Sequence, residues 1–184
     1  MNDCIIAFDA ANTTGWAAFS IECAPRLLAY GEINGSTDKV RMRYLASEFA
    51  KIEANLGDAI RKAFIEDQYL DTKAKQKIGN KWYAKITTVS LRAVVKLKRV
   101  VGWYEMACSM YGWPTEMVPI HEWRRDVYGK DWMKSLDRDR AKALARSLVA
   151  IEFPQLGPLS HDICEAILMG RRCAKREWLK RMKK

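Results

Sequence analysis

Apolar residues fall in short runs near the start of the chain and at wider, helical spacing later on. Residues 4 to 10, interrupted only by Asp9, predict a buried strand; ANTTG at 11 to 15 predicts a turn, WAAFSIE a returning strand and RLLAYGEI a third. That is an antiparallel meander. From Asp38 to about Ala63 the residues Val40, Leu45, Phe49, Ile52, Leu56 and Ile60 recur at helical spacing, and AFIEDQYL then predicts a short buried strand. A strand reached through a helix of that length returns parallel to an earlier one, which sets it beside the first. The polar, basic segment from Asp71 to Lys85, with Gly79 and Asn80, reads as a loop. A helix follows from about Thr88 to Tyr111, with Val89, Ala93, Leu97, Val101, Tyr104 and Cys108 on one stripe. PTEMVPI, opened and closed by Pro114 and Pro119, suits a strand at the end of a sheet. Two more helices, near 137 to 152 and 161 to 181, flank the breaker FPQLGPLS. The order is that of an α/β fold, and no internal repeat interrupts it.

Four acidic residues stand out against this pattern: Asp9 ends CIIAF, Glu66 ends AFI, and Asp162 and Glu165 interrupt HDICEAILMG. A carboxylate at the end of an apolar run is held on rigid backbone close to the core, where an unpaired charge is costly. The predicted topology gathers them. Asp9 and Glu66 end adjacent parallel strands, the edge at which open α/β sheets place ligands. Asp162 and Glu165 share one face of the last helix.

The net charge of +10 puts these acids beneath a basic surface, which points to metal ions acting on a polyanion such as nucleic acid. At 184 residues and 49% hydrophobic, one domain spanning 1-184 is expected, with a basic helical tail from about 171. No run of about twenty apolar residues occurs, and MNDCIIAFDAAN carries an acid where a secretory signal carries positive charge. A soluble, cytoplasmic protein without membrane contact is expected. The cysteines Cys4, Cys23, Cys108, Cys164 and Cys173 lack CxxC spacing and suit buried packing in a reducing compartment.

These residues carry a resemblance. IIAFDAANTTGWAAF resembles the strand-turn-strand opening of the RuvC family of Holliday junction resolvases, in particular the form found in bacteriophages, with Asp9 before Thr14 and Gly15. FIEDQYL is similar to the family's second acidic strand, and SHDICEAILMG to its closing helix. The helix ending RVVGWYEMA, the segment VPIHEWRRDVYG and the helix DRAKALARSLVAIEFP extend a weaker similarity over nearly the whole chain. The turn reads AANTTG where the family often has Pro-Gly, and Glu165 stands where many members have aspartate.

The resemblance implies a ribonuclease H-like fold with a mixed five-stranded sheet flanked by helices. It implies a homodimeric, metal-dependent endonuclease that resolves four-way and other branched DNA junctions by paired nicks, leaving 5′-phosphates. Asp9, Glu66, Asp162 and Glu165 would be catalytic and would hold two magnesium ions, replaceable by manganese, about 4 Å apart. Tyr69 matches the aromatic that reaches toward the junction centre. Lys73, Lys75, Lys77 and Lys81, interleaved with Trp82, are suited to phosphate contacts and base stacking.

Each feature also has a plainer reading. Asp9 before a turn is ordinary turn chemistry, and Asp162 and Glu165 complement a helix start capped by Ser160. Asp67, on the opposite side of its strand from Glu66, suits a solvated or supporting role. His121 and His161 are of the kind found at ordinary surfaces, although His161 could orient a ligand. RRCAKREWLKRMKK, with eight basic residues and one acid, is either a DNA-contacting arm or a solvated helix end. The stripe of Trp103, Tyr104, Met106 and Met110 reads as core, its outer residues as dimer interface. DAANTTG is also similar to the phosphate loop of the actin and sugar-kinase superfamily, whose members need two such domains. A junction-binding protein without catalysis and an RNA-directed nuclease are the remaining alternatives.

Overall fold

In the computed structural model residues 3–11, 13–67, 74–78, 81–85, 91–130 and 138–183 are described, with 74–78, 81–85, 91–94 and 138 as backbone only. The meander is β1 (Cys4–Asp9), β2 (Thr14–Ser20) and β3 (Leu27–Ile33), all antiparallel. Helix α1 (Asp38–Leu56), whose N-cap Thr37 accepts from Val40 N, leads through a short 3-10 turn at Gly57–Ala59 into β4 (Ile60–Asp67). The helix therefore stops earlier than its periodicity suggests. Ile60 opens β4 level with Cys4 instead of closing the helix. β4 runs parallel to β1, and β7 (Thr115–Pro119) runs parallel to β4. The sheet order is β3-β2-β1-β4-β7, so the proline-bounded strand does lie at an edge.

Strand alternation divides the core into two layers. Cys4, Ile6, Phe8 and Ile65 face α1 and α2 (Leu91–Met110), where Phe8 stacks on Phe49 and Tyr104 is fully buried. Ile5, Ala7, Phe64 and Val118 face α3 (Ile120–Tyr128), α4 (Arg138–Glu152) and α5 (His161–Arg181). Asp9 follows Ala7 and Glu66 follows Phe64 in the period of two, so both belong to the α5 side. Asp67 belongs to the other, where it accepts from Lys98 at 2.7 Å.

Two sequence expectations need correction. The stretch 71–85 contains a hairpin rather than a plain loop: β5 (Ala74–Ile78) pairs antiparallel with β6 (Lys81–Lys85), joined across the two residues Gly79 and Asn80. On α2, Val101, Tyr104 and Cys108 are core, but Met106 and Met110 are exposed and Trp103 is half-buried, because they lie on the helix flanks turned from the sheet. The basic segment from 171 is the second half of α5, within the helix expected near 161 to 181. Arg171 pairs with Glu152, Arg172 with Asp126, Arg176 with Glu116 and Arg181 with Asp3, so neighbouring elements of the fold neutralise much of its charge. Among the described residues no helix is long and apolar enough to cross a membrane, and all five cysteines are free thiols.

Candidate active site

Two strand ends and one helix start build the site. β1 and β4 are in parallel register with Phe8 level with Ile65, one residue before Asp9 and Glu66 respectively. Ser160 caps α5 by accepting from Ile163 N at 3.3 Å, and Asp162 and Glu165 lie in the helix's opening turns. Gly15 allows that helix to come so close. A Cβ at this position would stand 2.0 Å from the Asp162 carbonyl oxygen, so the backbone of α5 rests directly on β2.

The four carboxylates are brought together at one sheet edge. Asp9 is 3% exposed, Glu66 0% and Glu165 6%, a degree of burial that leaves bulk water little part in screening them. Burial pushes the Asp9 carboxyl far above the ordinary aspartate range; the charges of Glu66 and Glu165, a hydrogen bond with Glu66 and the charge of Asp162 push the same way. Glu165 is pushed up to about 7, chiefly by burial, with Arg124 opposing and Glu66 and Asp162 adding to the rise. His161 Nε2 stands 3.0 Å from Asp162 Oδ1.

Helix α3, absent from the sequence reading, supplies the groups that restrain these acids. Trp123, fully buried, donates its indole N–H to Glu66 Oε1 at 2.7 Å, and Arg124 Nη2 donates to Glu165 Oε1 at 2.7 Å. Tyr128 packs edge-on against Trp123, and its hydroxyl is pushed to stay protonated by burial and by the charge of Glu165, with Glu66 and Asp9 adding. The signal for this helix was present in Ile120, Trp123 and Val127 at helical spacing, ended by Gly129 at a φ of 93°.

The donor set fits a hard divalent cation: all oxygen, buried, and carrying more negative charge than Arg124 offsets. Among the described residues no three such side chains form a ready-made cage, in keeping with the engagement of Glu66 and Glu165 by α3. Of the residues expected to touch DNA, Tyr69 and Lys73 lie outside the described residues. Lys75 and Lys77 are on β5 and Lys81 and Trp82 on β6, with Lys77 level with Trp82.

Solved structures share this architecture. The chain is similar to T. thermophilus RuvC in complex with a Holliday junction substrate, with a TM-score of 0.65 over 98% of this chain and 96% of that one, at 11% identity. It is also similar to a Thermus thermophilus RuvC structure, with a TM-score of 0.60, the same coverage and 12% identity. No protein-family model matches the chain, and no curated protein matches it in sequence. At these identities the likeness is one of fold: the chain has the ribonuclease H-like α/β architecture of RuvC, a mixed five-stranded sheet between helices.

Proposed function

We propose that this protein is a metal-dependent, structure-selective DNA endonuclease that resolves four-way junctions by paired nicks. The observation that carries the reading is the crowding of Asp9, Glu66, Asp162 and Glu165, with Asp9 held far above its ordinary pKa range, in a chain of net charge +10. A protein that only held DNA would gain nothing from negative charge facing phosphate.

Asp9, Glu66, Asp162 and Glu165 would hold magnesium, with manganese as a substitute. Such ions, when bound, polarise the phosphate and make water nucleophilic at neutral pH. The chain's own groups do the rest. The Trp123 N–H holds one oxygen of Glu66 in place, Arg124 restrains Glu165, and the packing of α3 and α5 around the acids keeps bulk water away. Without a cation, burial and then the neighbouring acids hold the Asp9 carboxyl far above its ordinary range.

The hairpin β5–β6 follows the strand of Glu66, and we assign DNA contacts to Tyr69, Lys73, Lys75, Lys77, Lys81 and Trp82. Two symmetric nicks require two copies of Asp9 across a twofold axis. The exposed Val95, Met106 and Met110 of α2, beside half-buried Trp103, are the surface we assign to the homodimer. A single nuclease domain working in the reducing cytoplasm completes the reading.

The test is incubation with a synthetic four-way junction, a Y-fork, linear duplex and an RNA:DNA hybrid, with and without magnesium. Magnesium-dependent paired cleavage of the junction is expected. Cleavage of the hybrid alone would replace the reading with an RNA-directed nuclease, and tight junction binding without cleavage in any metal would leave a binding protein.

A further inference from the structure

Glu32 has no part in the site as assigned so far. It lies on β3 level with Gly15 of β2, which is level with Asp9 of β1, so the three form one row across the sheet. The first turn of α5 is laid over that row. At Gly15 an added Cβ would stand 2.0 Å from Asp162 O and 2.6 Å from Ile163 N, so no side chain separates helix from strand. Backbone resting on backbone sets the height of the helix, and the placement of its first turn along the row sets the separation of Asp162 and Glu165 from Asp9.

Ser160 ties that first turn to β3. Its Oγ accepts from Ile163 N at 3.3 Å and donates its proton to Glu32 Oε2. A serine hydroxyl has a single proton and two lone pairs. With the proton given to Glu32, a lone pair is directed at the helix amide and the rotamer is fixed. The partial positive charge of the helix N-terminus offsets the charge of Glu32.

We propose that Glu32 is a positioning residue: through Ser160 it locks the first turn of α5 over Gly15, and so sets where Asp162 and Glu165 stand relative to Asp9. The inference rests on the nuclease reading above. Glu32 itself touches neither metal nor reacting atoms.

The test uses the full chain as wild type, Glu32→Gln, Glu32→Ala, Ser160→Ala and the double alanine variant. Three quantities are read: Mn2+ affinity by calorimetry, single-turnover cleavage of a four-way junction alongside junction affinity, and metal-free amide exchange at Ile163 to Glu165. Each single alanine variant should lose about 10–100-fold in Mn2+ affinity and in cleavage rate, the range for groups that orient metal ligands, with junction affinity unchanged. The double variant should be no worse than either single one. Glu32→Gln keeps an oxygen that accepts from Ser160 and should retain most activity. A Gln variant as impaired as Ala would make the charge of Glu32 part of the chemistry, and losses that multiply in the double variant would uncouple Glu32 from Ser160; either result overturns the proposal. If the wild type neither binds Mn2+ nor cleaves, the nuclease reading falls and amide exchange decides alone. Faster exchange in both alanine variants but not in Glu32→Gln upholds the clasp, and unchanged exchange refutes it.

Discussion

Two carboxylate sites on the same sheet are treated in opposite ways. Glu116 on β7 accepts from Lys62 at 3.1 Å and from Arg176, with Lys180 at 3.9 Å. Partial burial pushes its carboxyl up, but the Lys62 hydrogen bond and the charges of Arg176, Lys62 and Lys180 outweigh this and hold it below its ordinary range. Asp9, buried and facing three further carboxylates, is pushed far the other way, first by burial and then by their charges. Helix α5 serves both sites, bringing acids from its first turns and cations from its last. The chain can evidently neutralise a carboxylate where neutralisation serves the fold. Where it leaves several short of cations at a rigid sheet edge, the missing charge is expected from a ligand.

The comparison breaks most completely at Asp9. Asp9→Asn should abolish junction cleavage while leaving binding intact, and should stabilise the metal-free protein by about 1 kcal/mol, or about 2–4 °C in Tm, by removing a carboxyl that burial and then its acidic neighbours penalise. A melting curve shifted down would instead make Asp9 a structural carboxylate. Magnesium sharpens the contrast. At a hundredfold excess over Kd it should stabilise the wild type by about 2.7 kcal/mol, and Asp9→Asn by much less. Equal shifts in the two proteins would move the metal to another part of the molecule.

The two sites should also give pH dependences of opposite sign. Glu165, raised from 4.5 to about 7, binds more protons folded than unfolded in that window, so metal-free stability should fall as pH rises through it. Glu116, held low, stabilises above its ordinary range, and its contribution is lost as pH falls. Glu165→Gln should flatten the first limb and Glu116→Gln the second, as read by denaturant titrations from pH 4 to 8. Exchanged limbs would reverse the assignment. The smallest effect is that of Glu116→Gln at neutral pH, a loss of about 1 kcal/mol or less for a partly exposed cluster, with cleavage unchanged. Slower cleavage would mean that the ion-paired end of α5 communicates with the acids.

The sequence makes the strand half of the site readable because a period of two fixes sides. Once Ala7 and Phe64 are core, Asp9 and Glu66 must share a face and Asp67 must leave it. Helix α3 is hard to read because only three of its nine residues, Ile120, Trp123 and Val127, carry its period, and Pro119 suggests only the end of a strand. The hairpin hides for a different reason. Its alternating lysines lack an apolar face, and Gly79-Asn80 between two strand-length segments is the one available signal. The bond from Ser160 to Glu32 spans 128 residues, and no local pattern encodes it.

Helix α5 runs unbroken from His161 to Arg181, and beyond its basic turns Cys173 and Ala174 are fully buried in the core. Shortening the chain at residue 170 to remove non-specific DNA affinity would take out these two residues. It would also take Arg172 from Asp126, Arg176 from Glu116 and Arg181 from Asp3. Truncation cannot therefore separate the charge of this segment from its packing. To learn what the charge does, Lys175 and the other exposed positions should be neutralised one at a time, with the helix kept whole.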